Sequence, residues 1–202
     1  MARGQIVTER SATMRALWCL EERAMNAKEA TIREATRIAG WTTAEELEWL
    51  YDQALGMWLV IEVGAYLGRS TKVLACAQGV VAIDNGAGSP HGAVKGEEIR
   101  RVLEQNLADE IARGVVVILW GDSARLSMRY PRGIADMVFV DGDHDRNSVM
   151  CDILAWQRVL IPGGLLCGHD FGQKPGVGEA LDELGLAVEV GPYSLWHTRS
   201  VR

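Results

Sequence analysis

Chemistry-bearing side chains gather where short apolar runs end. Val81-Ala82-Ile83 leads into Asp84-Asn85, Trp120 into Gly121-Asp122-Ser123, Val140 into Asp141-Gly142-Asp143-His144-Asp145, and Leu166-Cys167 into Gly168-His169-Asp170. A carboxylate in such a place accepts hydrogen bonds from hydroxyl or amino groups. Asp84 follows Glu62 by 22 residues, a placement suited to the two hydroxyls of a ribose. Asp122 can accept from the amino group of an adenine or, with Ser123, simply cap a helix. A neutral imidazole is the side chain best matched to proton transfer near neutral pH, which makes His144 the candidate general base. The plainer reading is a histidine hydrogen-bonded to its own loop.

The first apolar run ends as Ile61-Glu62-Val63-Gly64-Ala65-Tyr66-Leu67-Gly68-Arg69-Ser70-Thr71. Gly64 and Gly68 let the backbone turn tightly and approach a ligand with no Cβ in the way. Ser70 is expected to open a helix whose free N–H groups favour an anionic group. The run is neither the Gly-x-Gly-x-x-Gly dinucleotide pattern nor a P-loop, which needs a Lys. Glu62 lies inside the apolar stretch, where an unpaired carboxylate is costly, so it is expected to meet a cation or backbone donors.

Such residues need a scaffold that sets strand ends side by side. Val- and Ile-rich runs at 58–63, 80–83, 115–119, 136–140 and 164–167 predict strands. Helices are predicted over 69–77, 97–112, 145–160 and 176–184. In the third of these, Val149, Ile153, Trp156 and Leu160 share one face. Strands this apolar are covered on both sides, which implies parallel pairing with helices on each face. Runs at 187–190 and 195–199 flank Gly191-Pro192-Tyr193 as an antiparallel hairpin. The fold class is doubly wound α/β, with ligands expected at the carboxyl ends of the strands. There Asp141, His169 and Asp170 end neighbouring strands and can converge on one ion.

Residues 1–54 read as a helical extension and 55–202 as the main domain. Met14, Leu17 and Trp18 form an apolar stripe, suited to packing on the main domain or to a homodimer contact. Gly40 breaks the helical run, and Thr42-Thr43-Ala44-Glu45 has capping-box spacing for a second helix. The glycine-rich loop 85–96 is expected to form a lid or a substrate wall, and the region of Trp41 with the N-terminal helices to cover the acceptor pocket.

Taken together, Glu62-Val63-Gly64-Ala65-Tyr66-Leu67-Gly68-Arg69-Ser70, Ile83-Asp84, Gly121-Asp122-Ser123, Val140-Asp141-Gly142-Asp143-His144, Pro162-Gly163-Gly164 and Gly168-His169-Asp170 resemble the class I S-adenosylmethionine-dependent methyltransferases. The similarity is to the small-molecule branch that includes the methyltransferase domain 24 family and the relatives of catechol O-methyltransferase. It implies a mostly parallel, seven-stranded Rossmann-like sheet whose last hairpin holds the one antiparallel strand. It also implies that Glu62, Gly64, Tyr66, Gly68 and Ser70 line the methionine end of the cofactor. Asp84 would hold the ribose, and Asn85 with Gly121, Asp122 and Ser123 would border the adenine. Asp141 would serve both the cofactor side and, beside His144, the catalytic side. In the catechol-type relatives the positions of Asp141, His169 and Asp170 hold Mg²⁺ through oxygen ligands. His169 departs from that pattern: a nitrogen ligand suits Mn²⁺, Fe²⁺ or Zn²⁺ better, and without a metal His169 becomes a second base. The implied activity is methyl transfer to a small-molecule hydroxyl, with assistance from Mg²⁺ or Mn²⁺.

Composition narrows the alternatives. The 202 residues carry 21 Lys and Arg against 27 Asp and Glu, a net charge of −6, with no basic stripe to grip a nucleic-acid backbone. Amino-directed nucleic-acid methyltransferases place a Pro-Pro-aromatic motif where this chain has Asp141-Gly142-Asp143-His144, and no Pro-Cys nucleophile occurs. A nicotinamide-dependent oxidoreductase leaves Glu62 and the His169-Asp170 pair unexplained. The longest apolar stretch, residues 115–120, falls far short of the roughly 20 residues of a membrane span. Cys19, Cys76, Cys151 and Cys167 are scattered, as buried thiols of a cytoplasmic protein are. The alternative that survives is a non-catalytic S-adenosylmethionine-binding module, or a cephalosporin-hydroxylase-like relative with the same fold and acidic site.

Overall fold

The computed structural model describes residues 22–88 and 92–199. The stripe of Met14, Leu17 and Trp18, Cys19, and residues 89–91 of the glycine-rich loop lie outside the described residues. Strands β1 (Val60–Val63), β2 (Val80–Asp84), β3 (Val116–Trp120), β4 (Ala135–Val140) and β5 (Leu160–Gly168) pair in parallel. Antiparallel pairing joins β7 (Trp196–Arg199) to β5 and to β6 (Glu189–Val190). The sheet order is β3-β2-β1-β4-β5-β7-β6. The order in which the chain lays down its parallel strands reverses between β1 and β4, which opens the switch point where a doubly wound sheet receives its ligand.

Alternate residues of each strand enter opposite layers. Val60, Val80, Ala82, Met137, Phe139, Leu165 and Cys167 pack with helices α1 (residues 22–37), α2 (Ala44–Ala54), α3 (Arg69–Leu74) and α4 (Glu97–Asn106). Ile61, Val81, Ile83, Val138, Val140 and Leu166 pack with α6 (Ser123–Ser127), α7 (Arg146–Trp156) and α8 (Pro175–Glu183). Burial of such side chains, at about 25 cal/mol per Å² of apolar surface, is the main force holding the layers together. The alternation also aims the site: two residues beyond Phe139 and Cys167, Asp141 and His169 fall on the side of α2.

Departures from the sequence expectations have local causes. β1 begins at Val60 because the amides of Trp58 and Leu59 donate to the Asp136 carboxylate, at 2.8 and 2.9 Å, and not to a strand ladder. The helix expected over 97–112 divides at Leu107, whose backbone turns to φ −109°, ψ 16°, while Asn106 donates its amide to Leu67 O at 2.8 Å; a short α5 (Ala108–Ala112) follows. β5 starts before Pro162-Gly163 and not after it: Leu160 pairs with Ala135 and Leu165 with Met137, so the residues between them bulge out of the ladder. Leu160 is buried as expected, as the first residue of this strand and not as the last of α7. The capping box of α2 is shifted by one residue, to Thr43 and Glu46. Of the cysteines, Cys167 is buried, Cys76 is partly buried and Cys151 is exposed; all three are free. Among the described residues no helix is long and apolar enough to cross a membrane.

Candidate active site

The turn after β1 is built on left-handed backbone. Gly64 has φ +94°, Tyr66 +46° and Gly68, the N-cap of α3, +90°. A Cβ on Gly64 would lie 2.1 Å from the carbonyl oxygen of Asp141, so only glycine lets the ends of β1 and β4 close on each other. Glu62 and Ser70 are both buried beneath this turn. The Glu62 carboxylate accepts from the hydroxyls of Ser70 at 2.6 Å and Thr71 at 2.5 Å, in place of the cation or backbone donors expected. Burial pushes the Glu62 carboxyl up to about 7, with the two hydroxyls opposing it. Glu62 and Ser70 therefore brace the turn from within, binding strand to helix.

Asp84 ends β2 and reaches back to that turn. Its Oδ2 accepts from the amide of Tyr66 and its Oδ1 from that of Gly86, each at 2.7 Å. Burial raises its pKa and these amides oppose the rise. Each oxygen keeps further acceptor capacity, as a diol ligand requires. Gly121, at φ +145°, donates its amide to Asp84 O at 2.9 Å, bringing the β3 end alongside. Asp122 is exposed and caps α6 by accepting from Arg125 N at 2.8 Å. Ser123 accepts from the Trp156 indole at 2.7 Å, and exposed Asn85 accepts from Ala87 N at 2.8 Å. Trp41, exposed before α2, lies with its ring centroid 5.3 Å from that of Tyr66.

The ends of β4 and β5 bring the histidines and carboxylates together. His144 Nε2 lies 2.7 Å from Asp170 Oδ2. His169 Nδ1 lies 3.4 Å from the same oxygen and 3.6 Å from Asp141 Oδ1. Its Nε2 turns away, to Glu46 Oε1 of α2 at 3.0 Å and the Ser194 hydroxyl at 3.2 Å. Asp170 sits at φ +65°, a left-handed conformation that Asp tolerates better than most residues, and such strain gathers at functional sites. Asp141, His169 and Asp170 thus come together, and among the described residues the ligand atoms that lie mutually within 4.8 Å belong to Asp141, His144 and Asp170. Sequence reasoning missed Glu46 and Ser194; the only local signal was the Thr43–Glu46 capping spacing.

Carboxylates and imidazoles shift one another's titration inside this group. Burial raises the Asp141 carboxyl to about 6, with His169 opposing. The Asp170 carboxyl would be raised by burial, but the two imidazoles hold it well below the usual carboxylate range. The hydrogen bond to Asp170 raises the pKa of His144 against burial. For His169, burial acts downward, yet Asp170, Glu46 and Asp141 outweigh it and lift the imidazole to about 11; Glu46, which burial alone would raise, is held at about 2 by His169, Thr43 and Ser194. Stability from a raised group is present below its unfolded pKa and lost as pH climbs through the folded one. Thermal stability should therefore fall as pH rises from about 6.5 toward 11, and fall again in acid as Glu46 titrates from about 4.5 toward 2. Calorimetric melting of wild type and His169→Gln across pH tests this; an alkaline slope unchanged in the variant would contradict it.

The strand order, the glycine turn after β1, the carboxylate after β2 and the switch-point cluster define the class I methyltransferase architecture. Comparison with solved structures agrees. An O-methyltransferase from Bacillus cereus in complex with SAH superposes with a TM-score of 0.63 at 16% identity, over 86% of this chain and 91% of the other. A SAM-dependent O-methyltransferase from Thermotoga maritima gives 0.62 at 17%, over 85% and 71%. A precorrin 8w decarboxylase from Methanobacterium thermoautotrophicum gives 0.60 at 21%, over 81% and 94%, so likeness of fold alone does not select the reaction. Residues 61–171, more than half of the chain, match the methyltransferase domain 24 family, and the chain belongs to that family of S-adenosylmethionine-dependent methyltransferases.

Proposed function

We propose that this protein transfers the methyl group of S-adenosylmethionine to a hydroxyl of a small molecule, with His144 as general base. The observation that carries the reading is the 2.7 Å contact of His144 Nε2 with Asp170 at the carboxyl end of the sheet. It commits Nε2 as the donor and leaves Nδ1 as the acceptor for a substrate proton. Bound S-adenosylmethionine supplies a methyl group already activated on a sulfonium. Asp84 offers its free lone pairs to the ribose, the Gly64–Gly68 turn gives the amino acid end close backbone approach, and Gly121 with Asp122 and Asn85 borders the base. Holding acceptor and methyl carbon in line can lower the barrier by about 7–11 kcal/mol.

A second reading is favoured by the Asp141, His144 and Asp170 ligand atoms. Two carboxylate oxygens and one imidazole nitrogen fit a divalent cation, Mn²⁺ better than Mg²⁺. In that case Asp141, His144 and Asp170 would hold the ion, and the chemistry it would supply is a lowered pKa at the acceptor hydroxyl in place of a base.

Calorimetric titration of S-adenosylhomocysteine, first with EDTA and then with Mn²⁺ or Mg²⁺, tests the cofactor and the ion. Release of S-adenosylhomocysteine from S-adenosylmethionine, screened over small phenols, vicinal diols and amines, tests the acceptor class. Absence of titratable binding under every condition would sink the proposal, and turnover with amines alone would move it from oxygen to nitrogen. Asp84→Ala should weaken cofactor binding by about 10–100-fold, equivalent to the ~1.5–3 kcal/mol of hydrogen bonding to a charged group. Unchanged affinity in that variant would remove Asp84 from the ribose site.

A further inference from the structure

Glu46 lies outside the segment that matches the family, on α2, and is fully buried. A buried carboxylate is tolerated only when hydrogen-bonded, and this one is held by five donors from three residues. Its Oε2 accepts from the Thr43 amide at 2.8 Å and the Thr43 hydroxyl at 3.0 Å. Its Oε1 accepts from the Ser194 amide at 3.1 Å, the Ser194 hydroxyl at 2.9 Å and His169 Nε2 at 3.0 Å. Capping a helix needs only the first of these contacts. The rest pin one imidazole, in β5's continuation, between a helix N-terminus and the turn before β7.

The imidazole so pinned faces the site. His169 Nδ1 and His144 Nε2 share Asp170 Oδ2, at 3.4 and 2.7 Å. Carboxylates and imidazoles therefore alternate from Glu46 through His169 and Asp170 to His144. Side-chain exposure rises along that line from 0% at Glu46 to 6%, 12% and 33% at His144, so it runs from the core to the open face of the cluster.

We propose that Glu46 is a positioning residue for methyl transfer: with Ser194 it fixes the ring of His169, His169 fixes the carboxylate of Asp170, and Asp170 fixes His144. The proposal rests on His144 being the residue at the reacting end. Glu46 touches no substrate and acts only through this line. With Glu46→Gln, His169 Nε2 loses its charged partner and keeps only the Ser194 hydroxyl and a neutral amide, so the ring, and Asp170 beyond it, is held less firmly. Misplacement of a reacting group by an ångström or so costs about 10²-fold in rate, with little effect on ligand affinity.

The chain has four histidines, so ring ¹⁵N spectra of the 202-residue chain with bound S-adenosylhomocysteine resolve each one. In Glu46→Gln, and to a lesser degree in Ser194→Ala, the ring resonances of both His169 and His144 should move from their wild-type positions. Circular dichroism and S-adenosylhomocysteine affinity should stay at wild-type values. With an acceptor from the screen, kcat should fall about 10²-fold at unchanged acceptor KM. His144 resonances that stay in place in both variants would overturn the proposal, as would parallel loss of fold and cofactor binding in both, which marks a purely structural residue. Failure of the base assignment looks different: His144→Ala would keep full turnover while the Glu46→Gln shifts persisted.

Discussion

Replacing His144 with alanine is expected to lower kcat for methyl transfer by roughly 10²–10⁴-fold, the range a general base contributes, while S-adenosylhomocysteine still binds as to wild type. The division follows from where the side chain sits. His144 is at the open end of the cluster, its Nε2 held by Asp170 at 2.7 Å, whereas the cofactor contacts assigned to Asp84 and the Gly64–Gly68 turn lie at β1 and β2. The same variant separates the two readings of the site. If His144 is the base, EDTA leaves wild-type turnover unchanged. If it is a ligand, wild-type turnover requires Mn²⁺, and His144→Ala loses Mn²⁺ binding, seen as free aqueous Mn²⁺ by electron paramagnetic resonance. Full activity in the variant with and without EDTA would exclude both roles.

What the sequence made legible is what depends on local pattern. Apolar runs that end in Gly or Asp located β1 through β5 to within a few residues, because burial on both faces forces that composition. Asp84 was readable for the same reason: a lone carboxylate at the end of Val80–Asp84 has few roles other than gathering hydrogen-bond donors. The missed features are contacts made across the chain. Glu46 and Ser194 are separated by 148 residues, and in isolation Glu46 is an ordinary capping glutamate on a charged helix. Only the packing of α2 against the β5 end makes it a buried partner of His169. The same packing orients His169: Glu46 takes its Nε2, so only Nδ1 faces Asp141 and Asp170. Glu62 is an intermediate case: its hydroxyl partners stand only eight and nine residues ahead, a spacing that a strand–turn–helix reading could have used.

Gly64→Ala is expected to be the most destabilising single methyl in the site, by more than about 4 kcal/mol, beyond the range of ordinary substitutions. Two costs add. The left-handed backbone at φ +94° disfavours any side chain, by about 1–2 kcal/mol. The new Cβ would also lie 2.1 Å from Asp141 O, 2.5 Å from Asp141 C and 2.6 Å from Gly142 Cα, all backbone atoms that cannot turn aside. Gly163→Ala isolates the first cost, since Gly163 has φ +79° and an added methyl there would meet no atom within 4 Å. Gly168→Ala isolates a softer clash, 2.5 Å from the Trp196 ring, at a glycine whose φ is not positive. Urea midpoints of the three variants should fall in the order Gly163, Gly168, Gly64, with the largest loss last. A Gly64→Ala midpoint near that of Gly163→Ala would mean that β1 and β4 part easily at their carboxyl ends. Closure of those ends is what sets Asp141 against the glycine turn, so the same result would also loosen the link between the cofactor side of the site and its acid–histidine cluster.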